Sequence, residues 1–297
     1  MRRSTTFAGT DLFVSRPVLG TALLVELIAA AAVLWPVGGT GGVIGATGSA
    51  VGQPAEFAPR VVSMAPAVSA PDPVTAVVLP DGRTAQLLEL GGERTAALLG
   101  RLDAELGTAA AMVTAFWGPD WPHDIIVVVA GSDDQFRVLA GGAEDIAATT
   151  TAQRIMFAPG AADMSRSSLR IVLRHELFHY ASRARTAADA PRWLTEGVAD
   201  YVGRPAEALP GPARAAELAQ LPTDADLDST GAARSVAYDR AWWFSRYVAD
   251  RYGPHALREL YLRACGFGHP DVATAVRDVL GADLDEVLVG WRRWLSG

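Results

Sequence analysis

Two of the chain's five histidines, His175 and His179, stand four residues apart in the run Arg174-His175-Glu176-Leu177-Phe178-His179-Tyr180. Residues four apart on a helix lie one above the other on a single face, so both imidazoles can direct a nitrogen at one ion about 2 Å from each. Glu176 is rotated from His175 by about 100°, too far round to share the ion but near enough to reach a water held beside it. That is the disposition of a general base in metal-assisted hydrolysis. The bland alternative is two histidines on one face of an ordinary helix, and the pattern alone does not separate the two.

A tetrahedral catalytic zinc takes three protein ligands and leaves the fourth position to water. The other histidines, His123, His255 and His269, are scattered along the chain. The extended pattern HExxHxxGxxH fails because Arg185 stands where its last histidine belongs, and the inverted order HxxEH is absent. The single cysteine, Cys265, excludes both a cysteine-rich site and an internal disulfide, and reads most simply as a small buried residue. Further on comes Trp193-Leu194-Thr195-Glu196-Gly197-Val198-Ala199-Asp200-Tyr201, in which two carboxylates share the i, i+4 spacing. The small residues Gly197 and Ala199 predict that this helix approaches the histidine helix closely enough for a carboxylate to reach the same ion. Alone, such a pair reads as a solvated helix face.

The succession of HELFH and WLTEGVADY resembles the gluzincin zinc metallopeptidases, in particular the peptidase MA-like domain family. The similarity continues in a helix that begins near Tyr238-Asp239-Arg240-Ala241-Trp242-Trp243 and ends at Tyr252-Gly253, and in a closing amphipathic helix from Leu284 to Leu295 that carries WRRWL. It covers roughly residues 124 to 296 and is strongest over 170 to 203. The resemblance implies a zinc ion held by His175, His179 and Glu196, with Glu176 as base. It further implies that Asp200 accepts the free ring N–H of a ligand histidine, His175, and that Tyr238 is a candidate donor to the developing oxyanion. The substrate implied is a peptide or protein, its extended backbone paired with a sheet edge at IAATTT or RIMFAP. Tyr238 has an equal claim as a core tyrosine beside Trp242 and Trp243, and Trp291 and Trp294 read as core. Two other functions share these residues: an inactive zincin-fold binding or scaffold module at a membrane, and a zinc hydrolase of a non-peptide amide.

The elements that must hold these residues form an α+β pattern, a small mixed sheet followed by a mainly helical half, as a zincin-like domain over 74–297 requires. VTAVVLP with Asp81-Gly82 predicts a strand and turn, and a helical pattern runs from Glu93 to Trp117, stopped by Gly118-Pro119. DIIVVVA at 124–130 predicts a buried strand, Ser132-Asp133-Asp134 the cap of a short helix, and IAATTT and RIMFAP two further strands. From Ser165 the pattern is helical through RHELFHY and WLTEGVADYV. A polar loop over 204–232 follows, whose Asp224, Asp226 and Asp228 lack the Gly and closing Glu of a calcium loop and read as solvated. Three or four amphipathic helices complete the chain.

Half of the 297 residues are hydrophobic, enough for a substantial core, and a formal net charge of -7 with dispersed arginines argues against a nucleic-acid partner. Residues 18–35 carry a single charge, Glu26, between Pro17 and Pro36. Nine Leu, Ile and Val side chains contribute about -4 kcal/mol to insertion against about +3 for the carboxylate, so the sequence predicts a weak transmembrane helix over 18–36. Arg2, Arg3 and Arg16 precede it and no basic residue follows before Arg60, which keeps residues 1–17 cytoplasmic and exports the rest. Secretion after signal cleavage near Gly48-Ser49-Ala50 is the alternative. Residues 37–73, rich in Gly, Ala and Pro, read as a disordered linker.

Overall fold

In the computed structural model residues 74–141 and 146–297 are described. The cytoplasmic segment 1–17, the anchor 18–36 and the linker 37–73 expected from sequence lie outside the described residues. Among the described residues no helix is long and apolar enough to cross a membrane.

Among the described residues five strands form one sheet in the order β1-β2-β3-β5-β4, with antiparallel pairs at its two ends and parallel pairs inside. β1 (Val74–Val78) turns at Gly82, whose φ of 86° suits a residue without a Cβ, into β2 (Thr84–Glu89). β2 was not among the strands expected. Its Leu, Gln and Glu favour helix, and the strand is fixed by tertiary pairing to β1 on one side and to β3 (Asp124–Val129) on the other. α1 (Glu93–Trp117) ends where expected, at Gly118 with φ 95°. The buried Arg83 then secures the loop into β3: its guanidinium donates to the carbonyls of Pro119 at 2.7 Å and Pro122 at 3.3 Å and stacks on Trp121.

Strand periodicity divides the sheet into two faces. Val127, Val129, Ile155 and Phe157 join the main core under α1 and α3 (Arg166–Ser182), whereas Val128 and Met156 meet Phe136 of α2 (Asp133–Ala140), which Ser132 caps as its sequence predicts. β5 (Ile155–Phe157) lies between β3 and β4 (Ala148–Thr150), so RIMFAP is an interior strand and, among the described residues, β4 is the edge on this side. The expectation that either run forms the edge is corrected accordingly: β5 has both of its ladders occupied.

The helical half starts with α3, capped by Ser165, whose hydroxyl accepts from Ser168 N at 3.1 Å. It continues through α4 (Arg192–Gly203), α7 (Gly231–Tyr252), α8 (Pro254–Cys265), α9 (Val272–Leu280) and α10 (Leu284–Leu295). Between α4 and α7 the presumed polar loop holds two short helices, α5 (Pro212–Leu218) and α6 (Asp224–Leu227). Its aspartates have structural partners. Asp224 accepts from Trp193 N at 2.9 Å and Arg192 N at 3.2 Å, capping α4 from a distance because Pro191 supplies no side-chain cap. Asp226 completes a capping box with Thr223, and Asp228 pairs with Arg192. Edge-to-face contacts of Phe244 with Trp193 at 5.5 Å and Trp291 at 5.4 Å join α4, α7 and α10, and Cys265 is buried.

Candidate metal centre

α3 and α4 cross so that His175, His179 and Glu196 bring one ligand atom each to a common point. Nε2 of His179 lies 2.9 Å from Nε2 of His175, and Oε2 of Glu196 lies 3.2 Å from the first-named helix's His175 and 3.5 Å from His179. Ligand bonds of about 2.0–2.1 Å at a tetrahedral centre place ligand atoms about 3.3 Å apart, so these separations match the edges of such a site. His175 is wholly buried, whereas the side chain of His179 is 18 % exposed, so the cluster opens on the His179 side.

The orientation of His175 is set from behind. Its Nδ1 lies 2.9 Å from Oδ1 of Asp200, an arrangement in which Nδ1–H donates and Nε2 presents its lone pair to the cluster. Asp200 is itself held: its Oδ2 is 2.9 Å from Arg204, one helical turn on, and Arg204 continues to Asp239 at 2.8 Å and stacks on Trp242. Arg214 closes the network on Asp239. His175 is thus connected to Arg214 through alternating charges, each paired with the next.

Glycine makes the helix crossings possible, but not as the sequence alone implied. A Cβ on Gly197 would lie 2.5 Å from the carbonyl oxygen of Ala241, so Gly197 admits α7 rather than the histidine helix. Close approach to α3 falls to Gly203, where a Cβ would stand 3.0 Å from Ile171 O and 3.4 Å from His175 Cβ. α4 is therefore gripped from both sides, and Glu196 and Asp200 have little freedom to drift.

The electrostatics follow from burial and pairing. Burial opposes charge on His175, but the carboxylates of Asp200 and Glu196 against its two nitrogens outweigh it and raise its pKa to about 10. Burial likewise opposes charge on Glu196, yet His179 and His175 beside it draw its pKa down to about 2. Without an ion the cluster is a buried ion pair; three electron-pair donors at these distances otherwise repel, and a cation fits where the proton sits. Glu176 is wholly buried and its pKa is raised, burial outweighing the two histidines and Thr150. Its Oε2 accepts from Thr150 Oγ1 at 2.7 Å, while Oε1 is buried with no protein partner, the position expected of an oxygen that serves a reacting water. The donor set and this orphaned oxygen both fit zinc.

Tyr238 is buried on α7, and burial together with the charges of Glu196 and Asp200 raises its pKa, so its phenol stays a proton donor. All six residues singled out in the sequence thus occupy one region. His123, His255 and His269 are not among the residues that converge on it. Three supporting roles were not assigned from the sequence: Arg204 was visible as an i, i+4 partner of Asp200, whereas Thr150 and Asp224 reach Glu176 and α4 only through tertiary folding.

No family model matches the chain, and no curated protein matches it. Solved structures do. A mutant two-domain M1 zinc metallopeptidase bound to L-arginine is 18 % identical, with 76 % of this chain and 51 % of that chain covered and a TM-score of 0.45. A mutant M1 zinc metallopeptidase from Deinococcus radiodurans bound to a Tyr-ser-ala substrate is 18 % identical, over 76 % of this chain and 52 % of that chain, with a TM-score of 0.43. The chain spans about half the length of these structures. At such scores the likeness carries no functional weight, which rests on the site itself.

Proposed function

We propose that the domain is a zinc-dependent peptidase in which Glu176 is the general base. The observation that carries this reading is the convergence of His175 Nε2, His179 Nε2 and Glu196 Oε2 at tetrahedral edge lengths, beside a buried carboxylate with one unpartnered oxygen. In this reading His175, His179 and Glu196 hold the ion. Zinc, when bound, polarises a carbonyl as a Lewis acid and lowers the pKa of water to about 7.

The chain's own residues supply the rest. Asp200 keeps Nδ1 of His175 protonated, which leaves Nε2 free to bind. Glu176 takes a proton from the attacking water at Oε1 and delivers it to the leaving amine, and its raised pKa makes it competent as acid after it has served as base. Tyr238, held protonated, is the candidate donor to the oxyanion. An extended substrate pairs with β4, the edge strand nearest Glu176. The succession of HELFH and EGVADY extends the proposal to the gluzincin class and its peptidase MA-like group.

Residues 18–36 extend it to location, a single-pass anchor with the domain outside the cytoplasm. Protease added to intact cells removes the domain in that topology and leaves it untouched if it is cytoplasmic. For the chemistry, zinc content and cleavage of an unfolded protein are measured for the wild type, Glu176→Gln and His179→Ala. The expected outcome is zinc retained with activity lost in the first variant and zinc lost in the second. Full activity in Glu176→Gln overturns the mechanism.

A further inference from the structure

We infer that Thr150, at the end of the edge strand β4, is a positioning residue for Glu176: its hydroxyl anchors one carboxylate oxygen and so leaves the other to the reacting water. The inference rests on the reading of Glu176 as general base. Thr150 Oγ1 lies 2.7 Å from Oε2 of Glu176 and 2.9 Å from the Glu176 carbonyl oxygen. A hydroxyl has one proton to give, and both acceptors lie within its reach, the charged one nearer. The last torsion of a glutamate is broad and roughly two-fold, so an unanchored carboxylate exchanges its two oxygens freely. One anchored oxygen ends that exchange. Thr150 is itself fixed, since its β-branch restricts χ1 and its backbone pairs with Ile155 in the sheet.

The placement also ties the base to the outermost strand on this side of the sheet. Alternation along β4 turns Thr150 toward α3, so a displacement of the edge strand reaches Glu176 through a single hydrogen bond. The Thr150 hydroxyl acts through Glu176.

The test uses the full chain with zinc bound, and compares Thr150→Val with Thr150→Ser. A hydrogen bond to a charged group is worth about 1.5–3 kcal/mol, which converts to about a 10- to 150-fold fall in kcat for Thr150→Val. KM stays within about twofold and zinc content stays unchanged, and Thr150→Ser restores most of kcat. A second readout needs no activity: a double-mutant cycle of Thr150→Val with Glu176→Leu on denaturant unfolding of the metal-free chain. The two substitutions are expected to be non-additive: Thr150→Val loses the bond to the Glu176 carbonyl both with and without Glu176→Leu, so that loss cancels and only the side-chain contact is cycled. Additive midpoints, or wild-type kcat in Thr150→Val when Glu176→Gln is inactive, overturn the inference alone. An active Glu176→Gln overturns the general-base reading and the inference together.

Discussion

Replacement of Gly197 by alanine tests how tightly α4 is clamped, and the structure sets the size of the effect. The added Cβ would lie 2.5 Å from Ala241 O, 2.8 Å from Ala241 C and 2.9 Å from Ser245 Oγ, and two of these are backbone atoms that no rotamer change can move. Restoring an ordinary separation of about 3.4 Å requires α4 and α7 to part by about 0.9 Å, whereas metal–ligand distances hold within about 0.2 Å. Overpacking of this kind costs about 1–3 kcal/mol, and each kcal/mol lowers Tm by about 2–4 °C in a domain of this size. Glu196 is the neighbouring residue and moves with the helix, so zinc affinity falls by about 10- to 100-fold, the range for disturbed supporting groups. Gly203→Ala is the internal control, because its nearest contact, Ile171 O at 3.0 Å, asks for a shift of only a few tenths of an ångström. Thermal unfolding and a competitive zinc titration read both quantities. Unchanged Tm and zinc affinity in Gly197→Ala, or a larger effect in Gly203→Ala, refute the reasoning.

Asp200→Asn removes the carboxylate that orients His175 and is expected to weaken zinc binding about 10- to 100-fold by isothermal titration. Arg204→Met takes one of two charged partners from the buried Asp200, His175 remaining, and is expected to cost up to about 3–5 kcal/mol in denaturant unfolding, more than removal of an exposed pair such as Arg277 with Asp283. Asp224→Ala deprives α4 of its distant cap and is expected to cost about 0.5–2 kcal/mol in the same assay. In the metal-free chain the raised pKa of His175 stabilises the fold fully below about 6.5, and that contribution is lost as pH rises through about 10. The depressed pKa of Glu196 acts at the other end, contributing above its ordinary value near 4.5 and failing as pH falls toward about 2. Zinc bound at His175 must displace its proton, so apparent affinity for the folded chain is expected to rise with pH up to about 10; a flat profile below that contradicts the pairing.

The candidate metal centre was more legible in the sequence than the scaffold around it, for physical reasons. Helical spacing is strict, so His175, Glu176, His179, Glu196 and Asp200 could be assigned to faces before any contact was known. Caps and breakers were equally local: Ser132, Ser165 and Gly118 stand at the helix ends that their chemistry predicts. What sequence could not deliver was partner choice. The strand of Thr84–Glu89 is rich in helix formers, β5 is an interior strand only because β4 folds back beside it, and Gly197, read as facing α3, faces α7. Thr150 and Glu176 are 26 residues apart and no periodicity joins them. The aspartates of the 204–232 segment read as solvated and are exposed; what the sequence did not show is that Asp224 and Asp228 also reach the first residues of α4, capping it from outside that helix.

Zinc stoichiometry of the purified chain, compared between the wild type and Glu196→Ala, tests the two-helix site most directly. The expected result is one zinc per chain in the wild type and far less in Glu196→Ala, because two histidines on α3 alone leave the third tetrahedral ligand missing. A wild-type chain that takes up no zinc, or a Glu196→Ala chain that holds one zinc as tightly as the wild type, contradicts it.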